Sequence, residues 1–484
     1  MNRDNIRNML ENAHIIQNEE TYSQFAGLEY NPEIIERVSR INIQCCQLFM
    51  KSYDSPRELF LASLEILAED GTKSLEQELH ETRNAGIIDK RYKLEGDYVN
   101  WNNWRQFNAV ESNHKHRKDV FDCFIEKTEL LKPLIEKRFC NIRKIYETNG
   151  KMNPLQGYLD SEDISSQSLT RLIEYMANYT KKLFGEKIIE LSNTIFGKNP
   201  EYFDDFYYFR NRIFEDISEK FSRVNPISTV MNTMKELGID INKITYDIED
   251  RKNKYPSPIC FFIEIPSDIR ILYKQESPYF AFQGCFHESG HAMHATTIRP
   301  DLVYEKKYHI PMGVTEIFSI FLERLSRNTT YLRKKIGIAD GKSLDKIIEL
   351  NKFMELFFVV FYSVNSLTKM KFWSDGLSIE DMNKVYSEMM LNYTGLEMPG
   401  QYWMLHHIMP ESIMYVPSYL LAAVRAAELE RKIEEKFGQN WWELNEAGAY
   451  LKTLMKEGAD INLSEFSKLD SKVLLKEITN SAAD

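Results

Sequence analysis

The sequence predicts a mostly α-helical protein in two lobes with one small β-sheet, and three observations predict it. Residues 120–148 and 166–196 carry apolar side chains at three- and four-residue spacing over many turns, the period of an amphipathic helix. Residues 259–265, Ile-Cys-Phe-Phe-Ile-Glu-Ile, break that habit with a short β-branched and aromatic run closed by Pro266. A chain of 484 residues is long for one compact core, so two interdependent lobes are expected, residues 1–225 and 226–484. Hydrophobic residues at 43%, with 12% aromatics, supply enough interior to exclude wholesale disorder.

Taken in order, the chain opens on Met1-Asn2-Arg3-Asp4-Asn5-Ile6-Arg7, which lacks the apolar core of a secretory signal. Residues 92–107 are rich in Trp and Tyr without a clean period and are expected to form a loop packed on a helix. The basic cluster His114-Lys115-His116-Arg117-Lys118 reads either as a small anion site or as a solvated loop. The two long helical patterns are each followed by turn-rich breaks, Asn149-Gly150-Lys151-Met152-Asn153-Pro154 and Gly197-Lys198-Asn199-Pro200. The β-run at 259–265 and a second short apolar run at 270–274 predict a hairpin, which either offers a backbone edge to an extended peptide or is purely structural. Residues 343–456 return to helical patterns. Within them 354–364 is the most apolar run, but Glu355 interrupts it and it is too short to span a bilayer.

Net charge −11 argues against a nucleic-acid surface. Six cysteines without a CxxC pattern, two of them adjacent at Cys45-Cys46, suit a reducing compartment. A cytoplasmic protein with no nucleic-acid or membrane partner is the expectation. Cys285 reads as a buried packing thiol or as a regulatory thiol two residues before His287.

The chemistry concentrates in His287-Glu288-Ser289-Gly290-His291. Two histidines four apart lie one above the other on a helix face, so both imidazoles can reach one ion. A glutamate beside the first can hold a water there and take its proton. Zinc needs a third protein ligand and an open fourth position. The next amphipathic helix supplies Glu316 in its first turn, with Ser319 and Glu323 on the same face. One Zn2+ per chain, held by His287, His291 and Glu316, is expected, with Glu288 as general base. Glu323 and Ser319 are candidates to orient the ligands. Glu316 also reads as an acid favoured by the helix dipole, Glu323 as a structural ion-pair acid, and His294 as a competing ligand.

HExGHAxH followed by E-x-x-S-x-x-x-E, with 24 residues between His291 and Glu316, resembles thimet oligopeptidase and oligoendopeptidase F. His407 and the stretch Tyr415-Val416-Pro417-Ser418-Tyr419-Leu420-Leu421 are similar to a segment of Taq-type carboxypeptidases, as is Ser267-Asp268-Ile269-Arg270-Ile271-Leu272. The resemblance covers roughly residues 255–330 and 400–430. It implies glutamate-ligand zinc peptidases, mostly helical, with a deep substrate channel between the lobes and the small sheet beside the active site. It also implies that His407, Tyr415 and Tyr419 donate hydrogen bonds to the developing oxyanion, with His406 as the alternative histidine. Spacing alone reads the two tyrosines as core aromatics. No Gly lies between His407 and Tyr415, unlike the thimet-type loop.

The expected function is hydrolysis of short, unstructured peptides. The alternatives are a Taq-type metallocarboxypeptidase, a zinc hydrolase acting on another amide, and an inactive homologue serving as a binding scaffold.

Overall fold

The structure, a computed structural model, describes residues 3–50, 57–84, 86–209, 215–251, 253–255, 257–273, 277–407, 413–463, 466 and 469–479. Helices dominate, as the periodicity predicts, and two small sheets accompany them. No helix among the described residues is long and apolar enough to cross a membrane.

The chain forms two compact units that interleave in sequence instead of dividing at 225/226. One comprises Met1–Asp70, Ile217–Ile348 and Leu421–Leu474; the other comprises Gly71–Asp216, Glu349–Leu420 and Leu475–Asp484. The helices Arg57–Asn84, Gly341–Asp375 and Tyr415–Phe437 each contribute residues to both units. Helical periodicity is continuous through such a crossing, so the sequence carries no mark of it.

The first unit contains a three-stranded sheet. Ile244–Asp247 runs parallel to the central strand Asp268–Leu272, which pairs antiparallel with Ile259–Glu264 at the edge. The predicted hairpin is therefore present, with its second strand starting and ending two residues earlier than expected, and a third strand joins it. The peptide between Ile265 and Pro266 in its turn is cis. Alternation decides what each face of the edge strand meets. Phe261 and Ile263 pack with Tyr22, Ala26 and Leu272, covered by the helix Arg3–Phe25, while Cys260 and Phe262 are only half-buried. The two histidines lie on the helix Pro278–Thr297, which packs against the sheet. Lys254, almost fully buried, ties the strand ends together by donating to the carbonyls of Asp247 and Tyr273 at 2.8 and 2.9 Å.

The second unit is built on the long helices His114–Ile145 and Ser166–Phe196. Asn113 and Ser165 cap them by accepting backbone N–H groups, and Gly197, at φ 68°, ends the second in the left-handed conformation. Its core is aromatic: Trp104 stacks on Phe124 at 3.7 Å, and Phe139 packs on Phe372 and Trp373. Residues 354–364 lie within the helix Gly341–Asp375, with Leu356, Val359, Val360, Phe361 and Val364 buried.

Two local expectations change. Residues 92–107 are not a single loop. Ile87–Leu94 and Asp97–Asn100 form a hairpin, turned by Glu95 and Gly96 at φ 51° and 97°, before the helix Trp104–Val110. Strands this short leave too little alternation to read. The basic cluster 114–118 is the first turn of a capped helix, and Arg117 is fully buried. Its guanidinium donates to Asp204 at 2.6 and 2.8 Å and lies 4.3 Å from the Tyr207 ring centre. Replacing Arg117 with Met should cost roughly 3–5 kcal/mol, because it strands a buried carboxylate. Adding Asp204→Leu should recover much of that loss. Urea unfolding of both variants checks this, and equal stability of the two would show that the pair is not the cause.

Candidate metal centre

Gly290 determines how the centre is assembled. The helix Met312–Glu323 passes so close to the histidine helix that a Cβ on residue 290 would fall 2.3 Å from the Phe318 carbonyl oxygen and 2.5 Å from the Ser319 Cα. Only glycine permits that approach, which brings the Glu316 carboxylate under both imidazoles. His287 Nε2 lies 3.4 Å and His291 Nε2 3.5 Å from Glu316 Oε2. The three ligand atoms all fall within 4.8 Å of one another, the one such group among the described residues.

The donor set fits zinc. Tetrahedral ligands at about 2.0–2.2 Å from an ion stand about 3.3–3.6 Å from each other, the separation seen here between each imidazole and the carboxylate. Glu316 is almost fully buried, and Ser319 Oγ donates to its Oε2 at 2.7 Å, which fixes the carboxylate. Glu323 Oε2 pairs with His287 Nδ1 at 2.9 Å. That partner holds the ring in the orientation that directs Nε2 at the site. Burial disfavours charge on His287, but its bonds to Glu316 and Glu323 outweigh burial and hold its pKa well above the usual imidazole range. Burial pushes His291 down to about 4.

Glu288 lies between the two histidines in sequence, and burial pushes its carboxyl up to about 7. The Cys260 backbone N–H bonds to it from the edge strand. Phe262, on the same face of that strand, places its ring edge-on to His291 at 6.4 Å.

The other candidates separate. His294 is buried against Phe318 at 4.6 Å and does not join the ligand group. Cys285 is fully buried, with its thiol pushed up to about 12, so packing is its role. Tyr415 and Tyr419 belong to the second unit, where their hydroxyls are 2.7 Å apart and Tyr419 lies edge-on to Tyr362. They share a helix face, as their spacing implies. The segment Gly400–His407 is a 3-10 helix, and the side chains of His406 and His407 lie outside the described residues.

Some contributors escaped the sequence reading. Arg425, buried on the helix Tyr415–Phe437, donates to the Gly313 carbonyl at 2.8 Å, and Glu430 on the same helix bonds Arg324. Together they hold the glutamate helix near both its ends. A signal existed: Arg425 is the one charge in the run from Leu420 to Ala427. Tyr246 pairs with Ser289 at 2.8 Å and fastens the histidine helix to the sheet. Gly290→Ala should force the helices apart, costing about 1–3 kcal/mol by overpacking and weakening metal retention. Thermal unfolding and zinc competition with a chelator measure both effects. Wild-type zinc affinity in that variant would mean that the close approach does not set the ligand geometry.

No protein-family model and no curated protein matches the sequence. Solved structures do share the fold. One is a Bacillus anthracis str. Ames protein assigned to oligoendopeptidase F, with a TM-score of 0.62 at 14% identity over 96% of this chain and 84% of that one. Another is PZ peptidase A with an inhibitor, with a TM-score of 0.64 at 14% identity over 98% of this chain and 85% of that one. The chain has the fold of these two proteins along nearly its whole length.

Proposed function

We propose that this protein is a zinc-dependent metallopeptidase that hydrolyses short, unstructured peptides in the cytoplasm. One observation carries the reading: His287, His291 and Glu316 converge within one ion's reach, with Glu288 adjacent on the same helix. The fold shared with two peptidases supports it. The free state of all six cysteines suits a reducing compartment.

One Zn2+, when bound there, polarises the scissile carbonyl and acidifies a water. Glu288 takes the proton of the attacking water and returns it to the leaving amine. Glu323 keeps His287 in its ligating orientation, and Ser319 does the same for Glu316. His407, Tyr415 and Tyr419 are the proposed donors to the carbonyl oxygen as it gains charge. The second reading, a Taq-type carboxypeptidase, draws support from the Tyr415–Tyr419 pair on its resembling segment. Mapping cut positions in a peptide library separates internal from C-terminal cleavage.

Glu288→Gln should retain one zinc per chain and the native fold while losing nearly all turnover, since an amide cannot accept the water's proton. Metal analysis with a peptide-cleavage assay tests this, and near-wild-type turnover would remove Glu288 from the role. Phenylalanine at 415 or 419 should lower kcat roughly 100- to 1000-fold with little change in KM, the signature of a transition-state donor. A rise in KM alone would assign the tyrosines to substrate binding instead.

A further inference from the structure

The strand Ile259–Glu264 stands at the edge of its sheet, with one side free of strand partners. An extended peptide can add to such an edge through main-chain hydrogen bonds. Residues two apart on a strand present their backbone groups to the same side. Cys260 and Phe262 are such a pair, yet they meet different surroundings. Cys260 turns its N–H toward Glu288. The Phe262 carbonyl already accepts Asn18 Nδ2 at 2.9 Å, from the N-terminal helix Arg3–Phe25.

The Asn18 amide is well placed for this. It carries two hydrogens, and its nitrogen also lies 2.8 Å from His14 Nε2, one turn earlier. Burial and the neighbouring His309 push His14 down to about 3, which keeps its ring neutral. Asn18 Nδ2 donates to the Phe262 carbonyl, and His14 Nε2 lies 3.3 Å from the same oxygen, so both side chains close on it. His14 in turn packs on Tyr308 at 4.2 Å, and the Tyr308 hydroxyl accepts the Ile265 N–H at 3.2 Å. The edge is therefore taken up at 262 and 265 by side chains from two helices.

We propose that Asn18, supported by His14 and Tyr308, is a specificity-determining residue that ends peptide pairing at Phe262, so that a bound chain adds to the sheet only over the segment beside Glu288. This rests on the peptidase reading and refines it. Subsites on one side of the scissile bond end where the edge is closed, and further residues of a longer peptide gain no main-chain bonds.

The test measures binding separately from turnover. In zinc-loaded protein carrying Glu288→Gln, peptides extended one residue at a time on either side of a mapped cut site are titrated by calorimetry. Affinity should rise with length and then level off on one side. Adding Asn18→Ala together with His14→Phe, which removes both side chains that reach the Phe262 carbonyl, frees it for one more peptide N–H. The plateau should then move outward, with longer peptides gaining about 2- to 12-fold and the shortest unchanged. Tyr308→Phe, which keeps the ring against His14 and removes only the hydroxyl that meets the Ile265 N–H and Glu11, should extend the plateau through the Ile265 N–H. A plateau that stays in place in both variants, or no binding of extended peptides, overturns the proposal. Turnover of the protein with Glu288 intact decides the peptidase reading independently.

Discussion

Gly290 lets the helix bearing His287 and His291 lie against the backbone of Phe318 and Ser319, and the geometry of the centre depends on that contact. A helix face that carries two ligands four residues apart cannot supply a third from the opposite direction. The third must come from a neighbour, and Glu316 reaches the imidazoles only if the two axes come unusually close. The hydrophobic faces around Ile317, Phe318 and Phe321 hold the pair together, while Arg425 and Glu430 fix the glutamate helix near its ends.

The electrostatics follow from the same burial. Taking four ionisable groups out of water is costly unless each has a partner of opposite tendency. Here Glu316 meets two imidazoles and a serine hydroxyl, and His287 is shared between Glu316 and Glu323. Glu288 has less compensation, receiving a backbone N–H, and burial leaves it poised near neutrality.

The sheet serves the centre in several ways. Its edge strand supplies the N–H that meets Glu288 and the ring that flanks His291, and its parallel strand supplies Tyr246 to the histidine helix. The N-terminal helix covers the other face and reaches round to the edge through Asn18. Residues 3–25 belong to the unit that contains the centre.

What the sequence by itself determined was local. The i, i+4 histidines, the adjacent glutamate, and a carboxylate in the first turn of the next helix are set by the period of an α-helix, so the ligand group could be named from spacing. The helical class and the 259–272 hairpin were legible for the same reason, through period and proline punctuation. Tertiary structure decided everything that joins residues far apart in the chain. The interleaved units, the third strand Ile244–Asp247, the burial of Arg117 on Asp204, and the reach of Asn18 to Phe262 bring together segments up to 244 residues apart. No periodicity encodes such partners. They are fixed by which apolar faces pack, and by the need of each polar group buried with them to find a hydrogen-bonding mate.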